Sequence, residues 1–450
     1  MKHLILLAAC LSAAGLFAQP NARPVSLAEA LDLALANSTQ IKKAHLDREA
    51  LELRLREGRS AALPQINAGL GLDYFPVLPT QFLPAELFGG PGDAYVPATF
   101  GQPWQLAGTI RVEQQIYNAA GRRMAPAANT SRALLDLLSV RSEEEVLYNT
   151  ATVFFQAQQT EQLRRSVEAN LEKLKALQRM AELQYKNDYA TSTDVRRIQM
   201  ARTNLETQQY NLNTGIKALH QTLQFLCGIP LDEIIAPVQE LANPAADSAR
   251  WKSLALETET TTEYRLLQRQ TELLRIQAHS LRAGNIPQLS AYAAGAFQNQ
   301  RPDPNFFESG RRWYGMAALG LKVDIPLFDG FRRRNKIEQL SLEGLKIEED
   351  RQVLVRAKSL EFYQARDQFL GAIQMLRTQE ENVALARDIS DKLTLQYKEG
   401  VAPLSDLLNT QTAKAEAETN YWQQVFGYKL AVLRLLKAAG QIRLITQPNQ

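Results

Sequence analysis

The sequence contains little cysteine and no long apolar run beyond its first residues. Only two of its 450 residues are cysteines, Cys10 and Cys227. If Cys10 is removed with a leader peptide, the one remaining thiol cannot form an internal disulfide, so we expect stability to come from packing or assembly. After the leader, no stretch reaches the ~18 consecutive apolar residues that a membrane-spanning helix needs. A transmembrane helix is therefore not expected.

Sequence motifs for catalysis and for nucleotide binding are also missing. His45, His220 and His279 stand apart from cysteines and carboxylates at metal-ligand spacing, so we interpret them as helix-surface residues and expect no metal or other cofactor. Neither a G-x-S-x-G nucleophile motif nor a phosphate-binding P-loop occurs. The 51 basic and 48 acidic residues are interspersed and leave a net charge of only +3, which argues against a nucleic-acid partner. We do not expect an enzyme.

The first residues, MKHLILLAACLSAAGLFAQP, predict export from the cytoplasm. Lys2, the apolar stretch and the small residue Ala18 have the order of a signal peptide covering residues 1–18. A second interpretation stays open, in which LAAC (residues 7–10) is a lipoprotein box and Cys10 is acylated. Only a handful of apolar residues would then precede the cleavage site, fewer than the usual ~7–15.

The rest of the chain is one duplicated unit. QYKNDYATSTDV begins at Gln184, and QYKEGVAPLSDL begins 212 residues later at Gln396. IYNAAGRR, from Ile116, is matched by LFDGFRRR, from Leu327, at an offset of 211. LPQI and IPQL, further towards the start of each copy, are 223 residues apart, so the first copy holds an insertion after them. A single duplication of this length argues against a solenoid of short repeats.

The duplication predicts the following domain organisation. Residues 19–230 form the first repeat, with a helix, two strands joined by a long external loop (75–103) and a helical hairpin whose tip lies near 186–193. Residues 231–262 form a linker or equatorial segment. The second repeat, 263–440, has the same order and a tip near 398–405, and 441–450 form a C-terminal tail.

Each repeat changes from a helical period to a period of two. Pro64 and Pro287 end the first helix of their repeats, and Pro326 follows the last strand, so these three prolines mark junctions between strands and helices. Alternating apolar and polar residues predict strands with one apolar and one polar face, the pattern of transmembrane β-strands. The four segments are QINAGLGLDY, QLAGTIRVEQQI, QLSAYAAGAF and WYGMAALGLKVDIPL, the third assigned largely from the repeat. The segments between paired strands are rich in proline, glycine and aromatics and are interpreted as loops.

Long helical segments follow the strands. No proline or glycine occurs between Pro126 and Tyr185, and only Gly344 and Gly371 interrupt residues 335–399. Apolar residues recur at spacings of three and four, which is the seam of a coiled coil. After each long helix the chain is expected to turn at the Gln-Tyr-Lys motif. A second helix then runs back and ends at Gly228 in one copy and at Gly440 in the other. The seam residues are Val167, Leu171, Leu174, Leu177 and Ala181.

Four strands are too few to close a barrel. An open sheet edge in lipid leaves backbone groups unpaired, and single-chain outer-membrane barrels begin at about eight strands. The small and polar residues of the inner faces favour a wide lumen, so we expect three chains to contribute twelve strands. The fold class predicted is an α+β membrane protein in which a strand-strand and long helical hairpin unit is duplicated.

These features together resemble the TolC family of outer-membrane efflux proteins. SLAEALDLALANS near the start, LPQI and IPQL before the strands, IPLFDGFRRR after the last strand and YKEGVAPLSDLLNTQ at the second turn carry the resemblance, which covers the mature chain. It implies a homotrimer in outer-membrane lipid, with a shared 12-stranded β-barrel continued by a periplasmic α-helical barrel. It also implies a passive exit duct of tripartite efflux or type I secretion, gated through a periplasmic membrane-fusion adaptor and an inner-membrane pump of RND or ABC type.

The resemblance assigns roles to residues at the hairpin tips. Asp194 and Asp406 match acidic residues that ring the periplasmic aperture, Asn409 stands where family members carry a further acid, and Tyr397 matches a tyrosine that ties neighbouring hairpins. Ala402 replaces an arginine expected beside it, which predicts a weaker link. Another interpretation stays open, that both aspartates are first-turn or capping residues. The remaining tip residues, interpreted as adaptor-docking positions, are Tyr185, Gly400, Pro403 and Ser405.

One alternative function remains at this point. A soluble periplasmic coiled-coil adaptor or scaffold would use the same helical hairpins to bind a partner, but it gives no reason for four strands with an apolar face. The sequence does not name a cargo or choose between the two pump classes.

Overall fold

The computed structural model describes residues 23–233, 235–238, 244–308, 310 and 312–446. The expected signal peptide lies outside the described residues. Across the part of the chain that is described, none of the helices is both apolar and long enough to cross a membrane. The chain divides into two compact units, the first drawn from Met1–Asp47, Leu134–Gln268 and Glu348–Gln450, the second from Arg48–Ala133 and Arg269–Ile347.

The first repeat contains strand β1 (Arg23–Val25), helices α1 (Leu27–Asn37) and α2 (Thr39–Ser60), and strands β2 (Gln65–Tyr74), β3 (Thr80–Pro84), β4 (Tyr95–Thr99) and β5 (Trp104–Tyr117). Helices α3 (Ala119–Met124), α4 (Ala127–Lys186) and α5 (Ser192–Cys227) follow. After β6 (Ile235–Pro237) and α6 (Pro244–Lys252), the second repeat has α7 (Thr262–Ala283), β7 (Gln288–Arg301), β8 (Tyr314–Asp324), α8 (Arg332–Lys398) and α9 (Leu404–Ala438).

The second unit is built on a four-stranded antiparallel sheet. Its strand order is β2-β5-β7-β8, so the two repeats meet in the middle of the sheet. Within the described residues, β2 and β8 each have one edge with no partner strand. The four strands expected from the alternation are therefore present, including the weak third one.

The register sorts apolar and polar side chains onto opposite faces of this sheet. Ile66, Val112, Ala293 and Leu319 form one cross-strand row, and the next row, which points the other way, contains Gln65, Glu113, Tyr292 and Gly320. The apolar face is exposed in the single chain: Leu319 retains 85% of its accessible surface. On the polar face Lys322 pairs with Asp324 at 2.9 Å and Arg111 lies 5.5 Å from the ring centre of Tyr292.

The interpretation of residues 75–103 as a loop without elements is wrong. Within it β3 and β4 pair antiparallel, with Phe82 opposite Pro97. Prolines argued for a loop because proline cannot donate to a sheet ladder. A two-stranded ribbon consists only of edge strands, so a proline whose nitrogen faces away from the partner is tolerated there.

The first unit is mainly helical. Its long hairpins are α4 with α5 and α8 with α9, and at ~1.5 Å per residue the 60 residues of α4 extend roughly 90 Å. The five seam residues predicted in α4 are all buried. A short parallel pair, β1 with β6, accompanies a core whose buried side chains include Leu31, Phe154, Leu223, Phe426 and Leu436.

Helix ends follow the expected signals with one exception. Gly228 and Gly440 adopt left-handed φ values of 67° and 70° just beyond α5 and α9. Ser26 caps α1 by accepting a hydrogen bond from the Glu29 backbone N–H at 3.2 Å. The single helix expected before Leu63 is instead two, because the backbone leaves the helical region at Ser38.

Candidate functional site

The two hairpin tips share one backbone geometry, although their sequences differ. The first tip (187–191) joins α4 to α5, and the second tip (399–403) joins α8 to α9. In both, the preceding helix ends in the paired hydrogen bonds of a Schellman motif. In the first tip, the backbone N–H of Asp188 donates to the carbonyl of Tyr185, and that of Tyr189 donates to the carbonyl of Gln184. In the second tip, Gly400 donates to Tyr397 and Val401 donates to Gln396 in the same way.

The motif requires a left-handed residue just past each helix. Gly400 occupies it in the second tip with φ +72°, and Asp188, 212 residues earlier, occupies it in the first with φ +62°. Glycine adopts this conformation freely, whereas aspartate pays a steric penalty that its short polar side chain partly offsets. The first tip is therefore slightly strained where the second is not.

Asp194 is engaged in capping its own helix. The Thr191 hydroxyl accepts a hydrogen bond from the Asp194 backbone N–H at 3.2 Å, and Asp194 Oδ2 accepts from the Thr191 backbone N–H at 3.2 Å and from its hydroxyl at 2.7 Å. This is a reciprocal capping box at the start of α5. The capping role proposed for Asp194 is thus present, and its carboxylate is half-buried.

Asp406 lies at the same third position of its helix but has no capping box. The residue before α9 is Pro403, which has neither a hydroxyl nor an N–H, and the helix lacks a side-chain cap. The Ser405 hydroxyl donates to Asp406 Oδ1 at 3.3 Å. Asp406 and Asn409, one turn later, are both exposed. The two aspartates of the repeated motif therefore sit in different surroundings.

Tyr397 links the two hairpins. It retains only 9% of its accessible surface, and its hydroxyl donates to Gln184 Oε1 on α4 at 3.0 Å. Burial, with a smaller contribution from the charge of Asp194, raises the pKa of the Tyr397 phenol above its ordinary value. Tyr185, its counterpart in the first repeat, is 48% exposed and does not join this cluster.

An apolar cluster surrounds Tyr397 and joins all four long helices near the tips. Such a cluster fixes the spacing of the two hairpins because its members are buried only while both hairpins are packed. Its buried members are Leu174, Leu177, Ala181, Ile198, Tyr397, Leu404 and Leu407.

Of the other sequence-predicted positions, the three junction prolines lie away from the tips. Pro64 and Pro287 directly precede β2 and β7, and Pro326 lies two residues after β8. Gly400 and Pro403 are in the second tip, close to the tyrosine and aspartate positions. The hairpin-tip residues and the three junction prolines thus occupy separate places along the chain.

Sequence reasoning missed Thr191, Gln184 and the burial of His220. Thr191 follows the capping-box spacing to Asp194, so the signal was present in the sequence. His220 was interpreted as a helix-surface residue, which is wrong: it is half-buried, its Nε2 has no hydrogen-bond partner, and burial lowers the pKa of its imidazole. Its spacing to the buried Ile216, Leu223 and Cys227 places it on the same packed face of α5.

No group of three or more histidine, cysteine, aspartate or glutamate side chains in the described part of the chain is arranged to hold a metal ion. Cys227, the one cysteine among those residues, is buried beside Ala30, whose carbonyl accepts from its Sγ at 3.4 Å. Burial raises the pKa of this thiol to about 11, so it stays protonated and unreactive at neutral pH.

Comparison with known proteins bears on the family and the fold of this chain. Residues 267–441 match the family model for outer membrane efflux proteins. The resemblance to the TolC family is confirmed. The outer membrane protein TolC of Escherichia coli (strain K12) is 19% identical over 464 residues, which cover 98% of this chain and 87% of that protein.

Solved structures show the same TolC-like fold. The outer membrane protein VceC of Vibrio cholerae matches with a TM-score of 0.69 at 15% identity, covering 92% of this chain and 96% of that one. The CmeC outer membrane channel of Campylobacter jejuni matches with a TM-score of 0.70 at 13% identity, covering 92% and 86%. At these identities the likeness establishes the fold: two sheet strands and a long helical hairpin, twice over.

Proposed function

We propose that this chain forms a trimeric channel-tunnel of the outer membrane that serves as a passive exit duct for efflux or type I secretion. The observation that carries the proposal is the sheet, whose apolar face is exposed and whose two outer edges are unpaired in the described chain. A soluble scaffold would have to keep this face in water at a large hydrophobic cost.

Trimerisation satisfies both features of the sheet at once. Joining β8 of one chain to β2 of the next pairs the edges, and three copies give a closed barrel of twelve strands. The apolar face then meets lipid, and the face bearing Arg111, Glu113, Lys322 and Asp324 lines an aqueous lumen. This assembly belongs in the outer membrane, with the long helices in the periplasm.

The hairpin tips supply the gate in this proposal. Three copies contribute six tips, and the exposed Asp406 carboxylates form the acidic ring that cargo has to pass. Asn409 adds no charge, so the ring is weaker than one with two acids per chain. The exposed residues Tyr185 and Pro403 offer a docking surface for a periplasmic adaptor, through which an inner-membrane pump of RND or ABC type supplies the energy.

The first test is the mass of the protein. We expect outer-membrane fractions extracted in mild detergent to yield particles of three chains by light scattering. A water-soluble monomer or dimer released by salt alone would contradict the proposal and favour a periplasmic scaffold.

A matched pair of substitutions tests the lipid-facing side directly. Leu319→Arg places a charge on the apolar face at mid-strand, where such a change costs about 2–4 kcal/mol in a barrel. Ala318→Arg places the same charge one residue earlier, on the polar face. We expect the first to reduce the trimer recovered from the outer membrane and the second to leave it unchanged; equal recovery would contradict the assignment of faces.

A further inference from the structure

The segment that follows β8 departs from its counterpart in the first repeat. In the sequence IPLFDGFRRR (325–334), Gly330 and Phe331 both have left-handed φ values, +65° and +63°. A left-handed conformation is an outlier for a bulky residue such as phenylalanine. In the first repeat the aligned residues Ala119 and Ala120 begin the short helix α3 in ordinary right-handed conformation.

The unusual backbone holds apolar side chains out into solvent. Phe328 and Phe331 contact each other edge to face, with ring centres 5.4 Å apart, and remain 74% and 58% exposed. Leu327 is 91% exposed. These side chains extend the apolar face of β8 beyond the end of the strand, through Val323 and Ile325, which are also exposed.

A cleft of about 560 Å³ opens beside this aromatic pair. Its lining combines Phe328 and Pro326 with Arg332, Arg333 and the acidic Asp329, and Gly284 and Gln288 complete it. Arg333 Nε donates to Asp329 Oδ2 at 2.5 Å, which fixes its position.

Two arginines at this cleft make no close ion pair in the described part of the chain, although the charge of Arg332 still acts on the Asp329 carboxylate. Arg332, in the lining, and the nearby Arg334 are both exposed, and among the described residues no carboxylate lies within ion-pairing distance of either. The cleft therefore presents positive charge next to an exposed apolar surface, the combination that an anionic amphiphile fits.

The aligned residues of the first repeat are arranged differently. Arg122, which aligns with Arg333, lies over the ring of Tyr117 at 4.7 Å, so its charge is held against an aromatic face. Asn118, which aligns with Asp329, caps α3 by accepting from the Gly121 N–H at 3.0 Å. Arg123, aligned with Arg334, is exposed on α3.

We propose that the cleft after β8 binds the phosphate of one anionic phospholipid per chain, with an acyl chain lying along Phe328 and Phe331. Arg332 and Arg333 contact the phosphate, and Arg334 adds favourable charge at its edge. The inference rests on the proposed outer-membrane function, because that function puts the end of β8 at a lipid interface. The inference adds to the proposed channel one bound lipid per chain, at the rim of the barrel.

Native mass spectrometry of the delipidated protein in mild detergent, titrated with dioleoylphosphatidylglycerol, tests this site. We expect one tightly bound lipid per chain. Arg332→Ala should weaken this binding roughly fivefold, the size expected for one arginine at an anionic lipid surface. Arg123→Ala removes the same charge from the first repeat and should leave binding unchanged. Equal binding by the wild type and Arg332→Ala, or an equal loss in Arg123→Ala, would overturn the site.

Two further experiments distinguish a lipid from free phosphate and test the contribution of Phe331. Inorganic phosphate at the same concentration should not displace the lipid; full displacement would overturn the acyl contact. Phe331→Gly should relieve the left-handed backbone and raise thermal stability while weakening lipid binding, whereas Ala120→Gly in the first repeat should do neither. Unchanged lipid binding by Phe331→Gly would contradict the proposal.

The same spectra report the number of chains in each particle. A trimer that binds no phosphatidylglycerol refutes the lipid site alone. Particles that are not trimeric refute the proposed channel whatever they bind, so the two failures are distinguishable.

Discussion

The two hairpin tips have the same backbone turn and an aspartate at the same helical position, yet those aspartates have different surroundings. In the first tip, Thr191 and Asp194 satisfy each other's backbone groups. In the second tip, Pro403 replaces the threonine and leaves Asp406 without that task. A repeat can thus keep a residue while its role changes, because a neighbour three positions away determines which hydrogen bonds are available.

The tyrosines of the repeated motif differ in the same way. Tyr397 is buried between the hairpins and bonded to Gln184, whereas Tyr185 is half exposed. The first tip therefore supplies a stable helix start, and the second supplies the contact that holds the hairpins together. Five predictions test this division.

The largest effect is expected from the tyrosines. Tyr397→Ala removes a buried aromatic side chain, which should lower the free energy of local opening at the tips by about 3 kcal/mol. Tyr185→Ala, at the exposed matching position, should change it by less than about 0.5 kcal/mol. Hydrogen exchange of tip peptides, followed by mass spectrometry, measures both. Equal effects of the two substitutions would contradict the proposed difference between the buried and the exposed tyrosine.

The capping box should give the next largest effect. Thr191→Ala removes the capping hydroxyl and should cost about 1 kcal/mol of stability in the first turn of α5. Pro403→Ala removes no side-chain cap and serves as the control. Faster exchange of the amides at the start of α5, but not of α9, is the expected result.

Transferring the box to the second tip sharpens the same comparison. Pro403→Thr places a threonine three residues before Asp406 and should stabilise the start of α9 by up to about 1 kcal/mol. It should also withdraw the Asp406 carboxylate from solvent. Protection of the α9 amides with no change in cation block of the channel would separate capping from gating and contradict the aperture role.

A smaller effect concerns pH. The folded-state pKa of Tyr397 is raised, so the stability that its neutral phenol contributes is complete below the unfolded value of ~10 and is lost as pH rises through the folded value. We expect tip exchange to accelerate above pH ~10 more steeply in the wild type than in Tyr397→Phe, after correction for intrinsic exchange rates. Identical pH profiles of the wild type and Tyr397→Phe would contradict a stabilising role of the neutral Tyr397 phenol.

The smallest effect should come from the left-handed turn residue. Asp188→Gly should stabilise the first tip by about 0.5 kcal/mol, because glycine adopts φ near +62° without the steric penalty. Gly400→Asp should destabilise the second tip by a similar amount. Thermal unfolding of the two variants in parallel measures the pair, and shifts of the same sign would contradict the shared turn geometry.

Much of the fold could be predicted from local signals. The period of two identified β2, β5 and β8, and the repeat identified β7, whose small side chains give little alternation. Gly228 and Gly440 ended their helices because a left-handed residue is needed there. The β3–β4 ribbon was missed because its prolines resemble those of an irregular loop, and only the pairing of the two segments reveals it.

The site was less predictable because it depends on contacts between distant segments. The motif placed Asp194 and Asp406 at equivalent positions, but whether each aspartate takes part in a capping box depends on Thr191 and Pro403. The burial of Tyr397 depends on Gln184, 213 residues away, and on packing between hairpins. No local pattern distinguishes Tyr397 from Tyr185.

Single-channel recording in planar bilayers tests the central claim most directly, with wild type, Asp406→Ala and Asp194→Ala compared under divalent-cation block. We predict discrete channels in all three, block weakened in Asp406→Ala and wild-type block in Asp194→Ala. Absence of discrete channels would contradict the channel itself. Equal weakening in the two variants would contradict the division between a capping aspartate and an aperture aspartate.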